Sequence, residues 1–320
     1  MEKQEDIIAA YQQIIQETER QLQKTRKRIR YISLLRLLLF VEAVASAIIF
    51  WSDGWLRLTI FTVIPIIAFI WLVQSHNRWF YWKDYLKKKI VINQQELRAL
   101  QYDFSDFDNG KEYIDPSHLY TFDLDIFGNH SLFQYINRTS TPIGKQRLAN
   151  WFNAHLEKKE AIEQRQEAIR ELSTELEFRQ QFRLLGLLYK GKPSDTSEIK
   201  EWVNSPSDYR KHAFLRILPT AVGIINLLCI GSAIMGILPA SISGIVFACF
   251  VVFSFVFSKG ITKIQATYGE KLQILSTYAD QILITEKKEM HSLALQRIKA
   301  ELSSQNQTAS QSVHLSLIHI

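Results

Sequence analysis

Four almost purely apolar stretches constrain the fold of this chain more than any other feature of its sequence. They cover residues 31–51, 55–73, 214–236 and 238–257, and the remaining sequence is polar and charged. A helix of about 20 apolar residues can cross a hydrocarbon core of ~30 Å, because each residue adds about 1.5 Å. The sequence therefore predicts an all-α protein that contains four transmembrane helices.

The spacing and the charge around these stretches predict how the four helices run. Only a few residues separate the two stretches of each pair, so each pair is expected to form an antiparallel hairpin. The short turns within the two hairpins carry almost no Lys or Arg, whereas basic residues cluster outside the hairpins, as in segments 24–30 and 83–89. The positive-inside rule then places both termini and the central segment in the cytoplasm. This predicts a multi-pass protein of the inner (cytoplasmic) membrane, with membrane lipids as partners.

The apolar stretches divide the chain into predicted segments. These are a cytoplasmic amphipathic helix (1–30), a first transmembrane hairpin (31–73), a basic helix and linker (74–120), a cytoplasmic helical domain (121–213), a second transmembrane hairpin (214–257), a long cytoplasmic lever-like helix (258–303) and a tail (304–320). The tail ends in the apolar sequence VHLSLIHI, which is typical of a truncated or misread gene.

The first segment carries an apolar stripe at heptad-like spacing. The stripe consists of Ile8, Tyr11, Ile15, Leu22 and Ile29. It fits two arrangements, a coiled coil that forms a homodimer or packing against another helix of the same chain. The second is favoured, because the stripe is short and Thr18 and Thr25 are poor residues for a coiled-coil seam.

An acidic residue, Glu42, lies near the middle of the first apolar stretch. A carboxylate inside a membrane is a candidate functional site, because its burial there is costly. The alternative is a residue that contacts another helix or extends towards the membrane surface. We favour the alternative. Four spans with one acid and no pair of broken helices also make a poor transporter.

Residues 186–193 match the spacing of a phosphate-binding loop but lack its chemistry. The segment reads GxxxxGK and then has Pro193 where Ser or Thr must bind Mg²⁺. Proline supplies neither that hydroxyl nor the backbone N–H that would hold a phosphate. We therefore interpret the segment as a turn between helices.

No other residue pattern indicates a reaction. The 8 histidines show no metal-binding spacing, and Cys229 and Cys249 lie in apolar stretches where they act as small hydrophobic residues. No nucleophile and base occur at a recognisable spacing. The sequence therefore predicts no catalytic residue, no cofactor-binding residue and no metal site, and the chain is not expected to be an enzyme by itself.

Local signals predict the elements of the central segment. The alternating residues 121–128 indicate a short strand or an extended arm. Ser131 is expected to cap a short helix over 132–137, and Thr141 a second helix that has Pro142 at its first position. Gly144 allows a close backbone approach. A further helix is predicted over about 158–182.

The stretch 123–151 has an acidic-apolar entry, a short helix, a Thr-x-Thr-x-x-Gly turn and a helix that carries Arg and Trp. The residues of this motif are Gly128, Ser131, Thr139, Thr141, Pro142, Gly144, Arg147 and Trp151. In these residues the stretch resembles the start of the core (lever) domain of MutS-type mismatch-repair proteins. The resemblance extends over roughly 121–182 and is closest to a membrane-anchored branch of the family.

The resemblance implies a helical core that couples a C-terminal ATPase, which binds ATP and Mg²⁺, to DNA or partner binding. The sequence departs from the family in two respects. It has no GxxxxGK[ST] loop, so an ATPase domain is expected to be missing from this chain. Its Phe-x-Glu triplet, residues 40–42, lies in the first apolar stretch and so puts mismatch reading in doubt. The alternative is a stand-alone membrane scaffold that binds partner helices without nucleotide chemistry.

Overall fold

Every regular element in the described part of the chain is helical. The computed structural model describes residues 2–49, 55–188 and 239–302, and short pieces at 224–226, 228–229, 231–232 and 236. Its main helices are α1 (Glu2–Ile49), α2 (Trp55–Ala99), α3 (Leu132–Ile136), α4 (Pro142–Asn153), α5 (Lys159–Ser173), α6 (Leu176–Leu188), α7 (Ala240–Lys287) and α8 (Leu293–Leu302). A 3₁₀ turn, Lys111–Tyr113, lies between α2 and α3. The absence of strands from these ranges agrees with the all-α part of the prediction.

The chain divides into two compact units. The first is Met1–Lys190 with Ala279–Ser312, and the second is Gly191–Tyr278 with Val313–Ile320. The first unit contains α1 to α6, the end of α7, and α8. The described part of the second unit consists mainly of the first 39 residues of α7, counted from Ala240 to Tyr278.

The four predicted transmembrane helices, and with them the multi-pass membrane location, were wrong. Over the residues that the structure describes, no helix has an apolar segment long enough to cross a membrane. The first two apolar stretches are parts of α1 and α2, which continue well into polar sequence and pack along each other. Arg36 and Glu42 also place charges within the first stretch. Segments 52–54 and 214–223, together with most of 227–238, lie outside the described residues.

Helices α1 and α2 pack as an antiparallel hairpin. Leu22 of α1 packs with Leu86 and Ile90 of α2 in a buried apolar cluster, and Ile15 packs against its edge. The N-terminal stripe therefore packs against a helix of the same chain, as favoured above. Thr18 is buried in this stripe and satisfies its hydroxyl by donating to the carbonyl of residue 14 over 2.6 Å.

Residues 100–140 connect α2 to α4 and include the 3₁₀ turn and α3, and this compact loop surrounds a second apolar cluster. Ile126, Phe127, Phe133 and Ala149 form its buried centre, and the rings of Phe127 and Phe133 lie 5.1 Å apart. The alternating segment 121–128 consists of turns, so neither predicted conformation, strand or extended arm, occurs there. Its backbone bends back on itself where the N–H of residue 126 donates to the carbonyl of Thr121. Burial of the aromatic rings stabilises this loop.

Acidic side chains organise the backbone of the same loop. Asp103, Asp108 and Asp115 each accept a hydrogen bond from the backbone N–H two residues ahead, at 3.3, 2.9 and 2.9 Å. Hydrogen bonds from Ser105 and Ser117 lower the pKa of the Asp103 and Asp115 carboxyls. The aspartates therefore support tight turns, which agrees with the linker that was predicted at the end of segment 74–120.

The predicted helix over 158–182 is interrupted. Helix α5 ends at Ser173, and α6 begins at Leu176. The hydroxyls of Ser173 and Thr174 donate to backbone carbonyls three residues earlier, at 2.7 and 2.9 Å. Such local hydrogen bonds compete with the helical pattern and explain the break.

Glu171 connects α5 to the segment before α8. Its two carboxylate oxygens accept from the backbone N–H groups of His291 and Ser292, at 2.8 and 2.6 Å. These hydrogen bonds lower the pKa of Glu171. The C-terminal part of the first unit is thereby fixed beside α5.

We predict that Phe133→Ala lowers the free energy of unfolding by about 3–5 kcal/mol, because it leaves a cavity in the core of the loop. Phe133 is 0% exposed and contacts the rings of three aromatic neighbours. Urea denaturation followed by circular dichroism measures the change. Leu119→Ala is the control, since Leu119 is 92% exposed and its loss should cost less than about 0.5 kcal/mol. Equal effects of the two substitutions would contradict the assignment of this core.

Candidate functional site

The first unit contains a cavity of about 730 Å³. It lies where α2, α4, α5, α6 and α8 meet the segment 138–141 and the end of α7. Most of its wall is apolar, and its charged residues are one acidic and three basic side chains. These are Glu96, Arg138, Arg179 and Arg183.

The carboxylate of Glu96 joins two arginines. Its Oε1 accepts from Nε of Arg138 and from Nη1 of Arg183, both over 2.7 Å. Arg183 also donates from Nη2 to Gln95 over 3.0 Å. The ring of Phe107 lies 3.5 Å from the guanidinium carbon of Arg138 and 5.3 Å from that of Arg183. One carboxylate and one aromatic ring therefore hold both guanidinium groups.

Burial and neighbouring charges shift the pKa values of residues in this cluster. The side chain of Arg183 is only 13% exposed, and burial lowers its pKa, while the Glu96 carboxylate raises it. Arg138 lowers the pKa of Arg183 as well, because the two cations repel each other. Burial raises the pKa of the nearby Tyr11, and Glu96 raises it further. The ionic contact between Glu96 and the two arginines contains one more positive charge than negative charge.

A second polar contact joins α2 to α6 beside this cluster. Asn93 is 0% exposed and donates from Nδ2 to the carbonyl of Lys89 over 2.7 Å. Its Oδ1 accepts from Nε2 of Gln180, also over 2.7 Å. The buried amide therefore has both of its polar atoms paired, which fixes the register of the two helices.

The residues predicted to cap helices do so. Ser131 Oγ accepts from the backbone N–H of Gln134 at the start of α3. Thr141 Oγ1 accepts from the N–H of Gly144 over 3.1 Å, and Pro142 is the first residue of α4. Each cap satisfies a backbone donor that has no partner within its own helix. These capping predictions are confirmed.

The structure brings only part of the predicted motif to the cavity. Thr139, Thr141 and Gly144 line it. Gly128 lies in the loop with a φ of +111°, a conformation that favours glycine. Trp151 is 44% exposed and lies under the guanidinium of Arg165, whose central carbon is 4.3 Å from the ring.

Arg147 lies on an exposed position of α4, outside the cavity wall. Glu42 also lies apart from the cavity, on an exposed position of α1. Its interpretation as an intramembrane acid is wrong, because α1 is not a membrane span.

Gly186 has a packing role that differs from the predicted turn. It is buried within α6, while residues 189–193 lie outside the described residues. A Cβ at this position would overlap the side chain of Ser140 and would lie 2.7 Å from Nε2 of Gln281. Gln281 Nε2 donates to the carbonyl of Phe182 over 3.0 Å. The glycine therefore allows α6, α7 and the segment 138–141 to meet.

The sequence analysis missed Glu96, Arg138 and Arg183. A partial signal was present, because Asn93 and Glu96 are three residues apart and so share a face of α2. Their partners are distant in sequence, so the spacing could not identify them. Within the described ranges, no group of three or more His, Cys, Asp or Glu side chains could hold a metal ion.

Residues 118–227 match the family model for MutS domain III. The match supports a MutS-related protein. It includes α3 to α6 and the segment 138–141, so it covers the part of the cavity wall that carries Arg138 and Arg183. It also includes the whole stretch 123–151 that suggested the resemblance, together with its motif. No curated protein and no solved structure matches the chain.

We predict that Glu96→Gln lowers the free energy of unfolding by roughly 1.5–3 kcal/mol, because an amide cannot balance two guanidinium charges. The Glu96 side chain is only 21% exposed. Chemical denaturation at neutral pH measures the loss. The control is Glu163→Gln, whose carboxylate lies 3.8 Å from Lys159 and is 61% exposed. The control should change stability by less than about 0.5 kcal/mol.

A second prediction concerns Gly186→Ala, which should destabilise the chain by about 1–3 kcal/mol through overpacking against Ser140 and Gln281. Gly269→Ala is the control, because a Cβ there meets no described atom within 4 Å. In the control the better helix propensity of alanine should stabilise by up to about 1 kcal/mol. Thermal unfolding shows whether each variant is more or less stable than the wild type. A stabilised Gly186→Ala protein would exclude the close approach of Ser140 and Gln281 to Gly186.

Proposed function

We propose that this chain is the helical core of a MutS-like protein, which couples an ATPase domain to the binding of DNA or of a partner protein. The observation that supports this most directly is the position of the MutS domain III match. The matched residues 118–227 include α6 and the segment 138–141, which are the two parts that Glu96 joins to α2. The proposed coupling element is therefore the Glu96 contact with Arg138 and Arg183.

The coupling would act through relative movement of α2 and α6. If α2 moves, either α6 moves with it and the Glu96–Arg183 hydrogen bond is kept, or the two helices separate and the bond breaks. A broken bond would leave the largely buried guanidinium of Arg183 without its carboxylate, which is costly. Intermediate positions are therefore disfavoured, and the two helices would move as one body or switch between two arrangements.

The chain's own residues would transmit movement, and nucleotide chemistry would come from the ATPase domain. The sequence contains no GxxxxGK[ST] loop to hold the phosphates and Mg²⁺. ATP and Mg²⁺ would therefore bind outside these 320 residues. Because of the MutS relationship, DNA is proposed as the ligand of the protein together with its ATPase domain. The formal net charge of +6 is compatible with a polyanion.

The proposal can be tested on protein isolated from its own cells. The chromosomal gene is tagged at its 5′ end, and the tagged protein is purified with whatever domain or partner it carries. ATP hydrolysis is then measured without DNA, with a perfectly paired duplex and with a mismatched duplex. We expect hydrolysis that DNA stimulates. In Glu96→Gln the ratio of stimulated to basal hydrolysis should fall by roughly tenfold, within the range of allosteric couplings.

Glu163→Gln, introduced at the same locus, serves as the matched control and should keep the wild-type ratio. An equal ratio in Glu96→Gln and the control would exclude Glu96 as the coupling element. Purified protein without ATPase activity would overturn the proposal as a whole. It would favour a scaffold that binds partner helices without nucleotide chemistry.

A further inference from the structure

The cavity beside Glu96 has the size and composition of a small-molecule site. Its volume of about 730 Å³ lies inside the range of roughly 300–1,000 Å³ that is common for ligand pockets. Such pockets are mainly apolar and have a few convergent polar groups that orient the ligand. The proposed coupling does not use this volume, since it needs only the Glu96 contact itself.

The charged residues of the wall carry a net positive charge. Arg138, Arg179 and Arg183 face a single carboxylate, that of Glu96, among the charged residues that line the cavity. Glu96 already accepts from two of these arginines. Arg179 donates to the carbonyl of Ser173 over 3.0 Å and lies at an exposed position.

Two further observations indicate that this positive charge can bind an anion. Nε of Arg183 is buried and has no hydrogen-bond acceptor among the described residues. Tyr11, which also lines the cavity, is influenced electrostatically by all three arginines, so the three charges act on one region. An anion there would balance the excess charge.

Most of the remaining wall is apolar and suits the hydrocarbon part of a ligand. Leu172, Leu176, Phe182, Leu295 and Ile298 line the cavity from α5, α6 and α8. Phe182 is 39% exposed and Ile298 is 49% exposed, although both belong to this apolar wall. Covering them would remove apolar surface from water, which favours binding by about 25 cal/mol for each Å².

We propose that this cavity binds a small amphipathic carboxylate, with its head at the three arginines and its hydrocarbon body against the apolar wall. A carboxylate suits planar guanidinium groups, because each can donate two parallel hydrogen bonds. A neutral hydrocarbon would leave the arginines unbalanced, and a cation would be repelled by them. A nucleic-acid backbone would leave the apolar wall uncovered.

The test compares three probes that share a twelve-carbon chain and differ in the charge of the head. Isothermal titration calorimetry is run on the full chain with dodecanoate and dodecyltrimethylammonium below their micelle concentrations and with dodecanol below its solubility limit. We expect dodecanoate to bind with one site per chain and at least about tenfold more tightly than dodecanol. The ammonium probe should bind most weakly. Equal affinities for the three heads would overturn the proposal.

Matched arginine variants locate the site. Arg179→Gln should weaken dodecanoate binding about tenfold and leave dodecanol binding unchanged. Arg147→Gln, on an exposed position outside the cavity, should bind both probes like the wild type. Equal losses in the two variants, or several weak sites on each chain, would mean that dodecanoate binds elsewhere.

A second variant tests the apolar wall without disturbing the ion cluster. Ile298→Asp places a carboxylate in the wall at a position that is 49% exposed, so the fold should tolerate it. Binding of dodecanoate and dodecanol should both fall at least tenfold, because the added charge must be desolvated. Unchanged binding of dodecanoate by this variant would show that its chain does not occupy the cavity.

Discussion

The arrangement of the first unit depends on one carboxylate that two guanidinium groups share. Glu96 holds Arg138 and Arg183 at 2.7 Å each, and the ring of Phe107 lies beside both cations. Two partly buried positive charges would otherwise repel each other at short range. The carboxylate therefore makes it possible for α2, α6 and the segment 138–141 to meet.

Burial distinguishes this contact from the ion pairs on the surface. Lys159 and Glu163 form a pair one helical turn apart, but both are well exposed and water screens their attraction. Arg183 is largely removed from water, so its interactions with Glu96 and Gln95 are stronger and its separation from them is costlier. The same low exposure makes the cluster suitable both for transmitting movement and for attracting an anion into the adjacent cavity.

Features that depend on neighbouring residues could be predicted from the sequence. The caps at Ser131 and Thr141 were correct, because each side chain needs only a backbone donor three residues ahead. The four membrane spans were wrong, because no helix over the described residues has an apolar segment long enough to cross a membrane. The first two apolar stretches belong instead to α1 and α2, which pack along each other. The turns of 121–128 were missed, because aromatic packing overrode the alternating pattern.

The sequence by itself determined the helical character of the described residues, the starts of α3 and α4, and the motif that indicates a MutS relationship. These features arise from interactions over a few residues. Only the tertiary structure decided that Glu96 pairs with Arg138 and Arg183, that a cavity forms beside these three residues, and that Gly186 allows a close approach to Gln281. The partners in these contacts are separated by 42, 87 and 95 positions, the last being 281 minus 186. Helix packing therefore brings them together, and a local sequence pattern could not.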